Sequence, residues 1–338
     1  MILVTGASGI LGRVIALQLL QRGDKVRATK RASSNLEEVR RSFRFYTESS
    51  DDWFSKIEWI DVDFCDIDSL QNALKGITEV YHCAAKVSFN PKDDKELYHT
   101  NVVGTQNLLF ACQDLPIQKF LHVSSIAVLD NLSDKGVLDE ESDYNPKIAH
   151  SGYATSKHFS EMEVWRASAE GLNTIIVNPG IIIGSGNWTE SSGTLFKTFE
   201  KSAYSFSGGT SYVDVRDVAK ACIELMKQNA FGERFNLISE TRKYQDVADF
   251  VRSKLGLTKT KVVSNSLLRF GKIFQILGWL IPQLRMINEA NIEAITTMNT
   301  ISNDKVIPQL NFKFIPVEQS LNHHIQNYIQ DKTNIPSK

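Results

Sequence analysis

A tyrosine and a lysine four residues apart, Tyr153-x-x-x-Lys157, are the residues of this chain whose types and spacing first suggest chemistry. On a helix, positions four apart share a face, so a phenol and an ammonium there can address one bound molecule together. A nearby cation favours phenolate and draws a tyrosine pKa down from its ordinary ~10 toward the working range, which makes Tyr153 a usable acid or base. The pattern alone is weak, since about 0.6 occurrences are expected by chance in a chain of this composition. A second copy, Tyr328-Ile-Gln-Asp-Lys332, has no strand-end serine before it and reads as a solvated helix end. Tyr153 differs because Ser124-Ser125 precede it at the end of an apolar run.

A second chemical feature opens the chain. Thr5-Gly6-Ala7-Ser8-Gly9-Ile10-Leu11-Gly12 follows a short apolar strand directly and begins a helix. In that context Gly6 takes a tight turn, Gly9 lets backbone amides approach a pyrophosphate at the helix N-terminus, and Gly12 permits close helix-sheet packing. The glycines are spaced three and three, a departure from the commonest dinucleotide fingerprint.

These residues need a scaffold, and the chain has the material for one. Its 338 residues suit one large domain or two ordinary ones, and 42% hydrophobic residues, 23% charged, 19 Gly and 8 Pro exclude fibrous or wholly disordered classes. Lys plus Arg (38) nearly balance Asp plus Glu (39), so no overall attraction to nucleic acid or an anionic membrane is expected. Strands are expected at Ile2-Thr5, Lys25-Lys30, Ile57-Val62, Glu79-Cys83, Lys119-Ser124 and Asn173-Asn178. Helical patterns lie between them at about Leu11-Gln21, Ile67-Lys75, Asp93-Gln113 and Gly152-Ala169, with helical character around Leu36-Phe43 inside Arg31-Lys56. Strand-helix alternation of this kind specifies a doubly wound parallel sheet. After Asn178 the regularity fails: helices are expected to dominate, with one more strand at Arg234-Ile238 and a polar frayed tail from roughly Asp331.

Cys65, Cys83, Cys112 and Cys222 are dispersed, which suggests neither zinc nor a disulfide framework and fits a reducing cytoplasm. The first strand begins at once, without a leader pattern. The longest strongly apolar uncharged run, Ile273 to Leu284, is well short of the ~18 to 20 residues that span a bilayer, so no transmembrane segment is expected. His82, His122, His323 and His324 lack partners at metal-ligand spacing, and no metal is expected.

The glycine turn resembles that of the extended short-chain dehydrogenases/reductases. The likeness continues in family order through Asp63, His82-Cys-Ala-Ala85, Asn101-Val-Val-Gly104, Val123-Ser-Ser125, Tyr153-x-x-x-Lys157, Asn178-Pro-Gly180 and Val213-Asp-Val-Arg-Asp217. Val26-Arg-Ala-Thr-Lys-Arg31 and Asn303-Asp-Lys305 are similar in character to dihydroflavonol-reductase-like members. The resemblance implies an NAD(P)-binding Rossmann fold over residues 1–178 plus about 211–240, and a smaller, mainly helical substrate lobe over about 179–210 plus 241–330. It also implies that Lys157 holds the nicotinamide ribose, that Tyr153 exchanges a proton with the substrate oxygen, and that Ser125, rather than Ser124, hydrogen-bonds that oxygen. Gly6, Ser8, Gly9, Ile10 and Leu11 would meet the pyrophosphate and Asp63 and Phe64 the adenine edge. Ala84, Ala85, Lys86, Pro179, Ile181 and Ile182 would line the nicotinamide half. Asn101 and Val213 to Asp217 read as structural. Members of the family often dimerise through the helices that here contain Asn101 and Tyr153, so a homodimer is expected.

Cofactor choice turns on the end of the second strand. Thr29-Lys30-Arg31 offers cations for a 2′-phosphate, while the nearby acid, Asp24, sits at the wrong end to hold a free diol, so NADP(H) is favoured over NAD(H). The expected activity is reduction of a carbonyl, or oxidation of the alcohol, of a fairly apolar small molecule. The alternative is a nucleotide-sugar epimerase, which uses the same machinery; against it, Phe206 to Tyr212 carries no arginine for a diphosphate. A dehydratase is disfavoured by Ile126-Ala127 after Ser125, and a non-catalytic regulator by the presence of both Tyr153 and Lys157. Phe270, Ile273, Phe274, Leu277 and Leu280 share a helical face in Leu267-Ile281, read first as core packing, next as a cover over an apolar substrate and third as a membrane-surface contact.

Overall fold

The computed structural model describes residues 1–130, 136–189, 191–271 and 286–334. Strands β1 (Ile2–Thr5), β2 (Val26–Lys30), β3 (Glu58–Asp61), β4 (Glu79–His82) and β5 (Lys119–Val123) are followed by the two-residue β6 (Val137–Leu138) and by β7 (Thr174–Pro179). The connecting helices are α1 (Ile10–Arg22), α2 (Leu36–Ser42), α3 (Ser50–Ser55), α4 (Ile67–Leu74), α5 (Asp94–Leu97), α6 (Gly104–Gln113) and α7 (Gly152–Ala169). With the later strand β11, these build a seven-stranded sheet in the order β11-β7-β5-β4-β1-β2-β3, parallel at every pairing. The order runs outward in both directions from β1 and β4, so the carboxyl ends of those strands flank the switch point where a doubly wound sheet opens a crevice.

Local sequence explains the elements. All four residues of β1 are buried, as a central parallel strand requires. Helix α1 stops at Gly23, whose φ of 100° favours glycine and whose N–H meets the carbonyls of Leu19 and Leu20. Helix α7 starts where the Ser151 side chain accepts the amide of Ala154. One face of the sheet packs Val14, Ile15 and Leu17 of α1 against Val218 and Leu225, and the other packs Leu74, Leu108, Leu109 and Val164. The expected helix from Asp93 to Gln113 is not continuous: a π-helical turn at Tyr98–Val103 separates α5 from α6. There Thr105 Oγ1 donates to the Asn101 carbonyl at 2.6 Å, and the Asn101 side chain is drawn to the backbone of Lys86.

Beyond residue 179 helices dominate the described residues, with more short strands among them than the one expected. The strands are β8 (Ile181–Ile183), β9 (Tyr204–Ser205), β10 (Gly209–Asp214), β11 (Glu233–Leu237), β12 (Glu240–Lys243), β13 (Lys261–Val262) and β14 (Thr300–Ile301). The helices are α8 (Leu195–Lys201), α9 (Val215–Lys227), α10 (Tyr244–Lys254), α11 (Asn265–Gly271), α12 (Glu289–Thr296), α13 (Val306–Leu310) and α14 (Val317–Asn334). Strands β12, β10 and β8 form a mixed three-stranded sheet, an addition to the single further strand expected at Arg234-Ile238. Gly180 sits at its edge against Ser211, whose carbonyl oxygen would lie 2.4 Å from any added Cβ. A second core gathers Phe196, Tyr212, Val251, Leu321 and Ile325 around it.

The C-terminal expectation also needs correction. Asp331 is buried rather than frayed, accepting the Trp188 indole N–H at 2.7 Å and pairing with Arg44. Tyr328 is not a solvated helix end: it is buried against Phe196 and Trp188 and donates to Glu200 at 2.7 Å, while Lys332 pairs with the same carboxylate. Of the apolar face expected in Leu267-Ile281, residues 272–281 lie outside the described residues; Leu267 and Phe270 on α11 are exposed. Among the described residues no helix is long and apolar enough to cross a membrane.

Candidate active site

The switch point is stitched by Thr5. Its Oγ1 accepts the amides of Cys83 and Ala84 at 3.1 and 3.2 Å and meets His82 Nδ1 at 2.7 Å. Gly6 follows with φ 64°, and a Cβ there would stand 2.7 Å from the backbone of Ala84. The turn closes when the Gly9 amide donates to the Gly6 carbonyl at 2.9 Å. Gly9 then caps α1 in extended conformation with no side-chain cap, leaving the first-turn amides of Ile10, Leu11 and Gly12 for an anionic group. Gly12 serves a different contact from the one expected. Its Cβ would lie 2.5 Å from the Gly6 carbonyl oxygen, so it seats the helix on the turn itself rather than on the sheet. This cradle of glycine and free helix-start amides fits a dinucleotide pyrophosphate.

Ser125, Tyr153 and Lys157 come together at the exit of β5. Ser125 Oγ accepts the Ala127 amide at 3.2 Å and hydrogen-bonds the Tyr153 phenol. Ser124 is buried, and its hydroxyl has no hydrogen-bond partner among the described residues. Lys157 is 1% exposed and donates through Nζ to the Val123 carbonyl at 2.7 Å and to His122 Nε2 at 3.4 Å. Burial brings its pKa down to about 8, partly opposed by Glu161. The expected lowering of Tyr153 by this cation is not found: burial raises the phenol, and the Ser125 hydrogen bond only partly opposes the rise. The lysine is held at the strand end by the Val123 carbonyl. Tyr153 therefore stays protonated through neutral pH, the form that acts as an acid.

Around this trio lies a buried polar frame. His82 Nε2 meets Thr105 Oγ1 at 2.9 Å, and burial pushes the ring down to about 3, so it is neutral. The Asn101 side chain accepts the Lys86 amide at 2.7 Å and donates to the Lys86 carbonyl and Ser156 Oγ, each at 2.9 Å. That fixes the Ala84-Ala85-Lys86 stretch. Pro179 is buried, while Ile181 and Ile182 on β8 are half-buried. Phe89 sets its ring edge-on to Tyr153, with centroids 5.9 Å apart, and is 47% exposed. The Phe89 carbonyl accepts from the Asn291 side chain of α12 at 3.0 Å, which ties α12 to the surroundings of Tyr153.

At the adenosine end the cations differ in availability. Lys30 is already paired with Asp61 at 2.5 Å, directly across the β2-β3 register. Arg31 is exposed, with its backbone amide bonded to Ser34 Oγ. Asp24 pairs with Arg22 at 2.6 Å. Asp63 is exposed and accepts the Cys65 amide, beside a half-buried Phe64.

Two functional residues escape a reading of the sequence. Arg13 is fully buried, donates from Nε to the Gly9 carbonyl at 3.1 Å, bonds the Ser8 carbonyl, and pairs through both terminal nitrogens with Glu38 at 2.8 and 2.9 Å. Glu38 Oε1 also accepts the amide of Asn187 at 2.7 Å, so one carboxylate joins the glycine turn, α2 and the chain just after β8. A charged residue inside the apolar run Val14-Ile-Ala-Leu17 and its N-terminal flank was the available signal; its partner 25 residues away was not readable.

Val213 to Asp217 does more than complement a helix dipole. Buried Asp214 caps α9, accepts Ser320 Oγ at 2.7 Å and meets His324 Nε2 at 3.3 Å. Burial alone would raise this carboxyl, but Arg216 and His324 hold it well below its usual range. Asp217 is pushed up to about 6 by burial, while accepting the Ile315 amide. Among the described residues, no three His, Cys, Asp or Glu side chains form a group able to hold a metal ion.

Residues 2–237 match the family described as the NAD dependent epimerase/dehydratase family, and the chain belongs to it. It is 30% identical over 243 residues to a protein named sterol demethylase protein B from Methylococcus capsulatus, covering 70% of this chain and 69% of that one. It is 29% identical over 266 residues to a putative dihydroflavonol 4-reductase from a Synechocystis strain, covering 76% and 73%. The crystal structure of gox2253 shares the fold, with a TM-score of 0.82 at 24% identity over 98% of each chain. The chain is thus an extended short-chain dehydrogenase/reductase, of a family that uses a nicotinamide dinucleotide.

Proposed function

We propose that the protein is an NADPH-dependent oxidoreductase that reduces a carbonyl of a fairly apolar small molecule, or oxidises the corresponding alcohol. The observation that carries the reading is the Tyr153 phenol beside Ser125, edge-on to the exposed ring of Phe89. Such an acid, in an apolar mouth, suits a carbonyl that becomes basic as it is reduced.

The nicotinamide cofactor would supply the hydride. The first-turn amides of α1 would hold its pyrophosphate, Arg31 its 2′-phosphate, and Lys157 its nicotinamide ribose. Tyr153 would give its proton from Oη to the substrate oxygen, and the Ser125 hydroxyl, turned from the phenol to that oxygen, would donate a hydrogen bond to it as charge develops. Phe89 and Val87 would exclude water from the reacting carbonyl.

Nucleotide-sugar epimerization is the weaker reading. Phe206 to Tyr212 carries no cation, and Arg242, opposite Thr210 on β12, is paired with Glu240 at 2.7 Å. A diphosphate would have to break that pair. The names of both relatives also point to sterol and dihydroflavonol chemistry. The test is to follow NADPH oxidation over a panel of apolar ketones and aldehydes, with calorimetric titration of nucleotide diphosphate sugars alongside. Turnover of a panel member with no tight sugar binding supports the proposal; micromolar binding of a nucleotide sugar with no carbonyl turnover replaces it with the epimerase.

A further inference from the structure

One buried charge beside the trio has no part in the reaction as described. Glu161 is 3% exposed and lies one turn beyond Lys157 and two beyond Tyr153 on the same face of α7. Its Oε1 accepts Asn178 Nδ2 at 2.7 Å, and the same Nδ2 donates to the Ser125 carbonyl at 3.0 Å. Its Oε2 accepts Arg234 Nη1 at 3.2 Å, and Arg234 Nη2 also donates to the carbonyls of Glu140 and Ser142 at 2.6 and 2.7 Å. The carboxylate is therefore one hydrogen-bonded side chain away from the catalytic serine, and an arginine clamped to a neighbouring loop holds it there.

A charge inventory sharpens the role. Facing the Lys157 ammonium are the Val123 carbonyl and His122 from β5, His82 and Cys83 from β4 and its exit, and Tyr153 and Glu161 from α7. Burial pushes both histidines far down, His82 to about 3, so they are neutral. Burial also pushes Cys83 up to about 12 and raises Tyr153, so neither ionises at neutral pH. Among these groups Glu161 is the anion. A buried ammonium with one anion nearby depends on it strongly, because few solvent dipoles are present to take its place.

We propose that Glu161 is a positioning residue of this active site: its charge sustains the Lys157 ammonium, its bond through Asn178 fixes the Ser125 carbonyl, and Arg234 holds it in place. The proposal rests on the reading of Lys157 as the ribose anchor, and its test separates the two. NADPH affinity is measured by fluorescence titration from pH 6 to 10 for wild type, Lys157→Ala, Glu161→Gln and the double variant Glu161→Gln/Arg234→Met. Wild-type affinity is expected to fall as pH rises through about 8, where the ammonium loses its proton, and Lys157→Ala to lack that step. Glu161→Gln keeps an acceptor for Asn178 but no charge, and its midpoint is expected roughly one pH unit lower. The double variant removes the stranded arginine charge, which protects folding, and is expected to keep a lowered midpoint. A wild-type midpoint in the double variant overturns the proposal, whatever the single variant does, because the effect would then belong to Arg234. If Lys157→Ala retains the wild-type step, the anchor reading fails instead.

Discussion

Removing the Glu38 carboxylate should destabilise the whole fold and loosen the cofactor turn. Arg13 is fully buried and Glu38 is 20% exposed, and their two hydrogen bonds, at 2.8 and 2.9 Å, neutralise a guanidinium that cannot shed its proton. Glu38→Ala strands that charge. Breaking a buried pair from one side costs about 3 to 5 kcal/mol, a large share of the ~5 to 15 kcal/mol that holds a typical protein folded. For a chain of this size each kcal/mol lowers the melting temperature by roughly 2 to 3 °C, so a loss of roughly 6 to 15 °C is expected. Arg13 also holds the carbonyls of Ser8 and Gly9, and NADPH affinity should fall about tenfold as the turn relaxes. The assay is differential scanning fluorimetry with and without NADPH, using Glu37→Ala as control. Glu37 pairs with Arg40 on the exposed side of the same helix and is expected to leave the melting temperature unchanged. If Glu38→Ala melts like Glu37→Ala, the buried pair is not the clamp described here.

Three further outcomes follow from the site. Arg31→Ala should weaken NADPH tenfold or more and leave NADH almost unchanged, whereas Lys30→Ala should cost less because Asp61 already holds that ammonium; equal losses for both cofactors would contradict this. Gly12→Ala places a Cβ 2.5 Å from the Gly6 carbonyl oxygen and should reduce cofactor affinity at least about tenfold with the fold retained, checked by titration and circular dichroism. The rate of carbonyl reduction should hold through neutral pH and fall above about pH 8: burial lowers the Lys157 pKa, so the ammonium is complete below that value and lost as pH rises through it. A rate that climbs above pH 8 would mean that the neutral amine is the working form.

The parallel sheet and the glycine turn were legible because they depend on local signals. β1 is a short β-branched and apolar run buried at every residue, Gly6 needs a positive φ, and α7 begins and ends where its cap and period say. The three-stranded sheet was not legible, because β12 reads Glu-Thr-Arg-Lys and β10 Gly-Thr-Ser-Tyr-Val-Asp, with no clear alternation. Long-range pairing decides them, including the Ser211 to Thr241 hydroxyl contact. The π-helical turn escaped for a similar reason: it depends on Asn101 reaching the backbone of Lys86, fifteen residues earlier. Tyr153 and Lys157 could be named from spacing, but the direction of the tyrosine's shift could not. Spacing brings a cation near the phenol, while burial and the Val123 carbonyl decide where that cation points.

The central claim is that Tyr153 gives a proton to a carbonyl while NADPH gives it a hydride. It is tested most directly by incubating the enzyme and a turned-over apolar ketone with NADPH deuterated at the transferring position, for wild type and Tyr153→Phe. The account expects one deuterium on the carbinol carbon of the wild-type product, and a rate lowered roughly 10²- to 10⁴-fold in Tyr153→Phe with NADPH affinity retained. An unlabelled product, or a Tyr153→Phe enzyme that turns over at the wild-type rate, would contradict it.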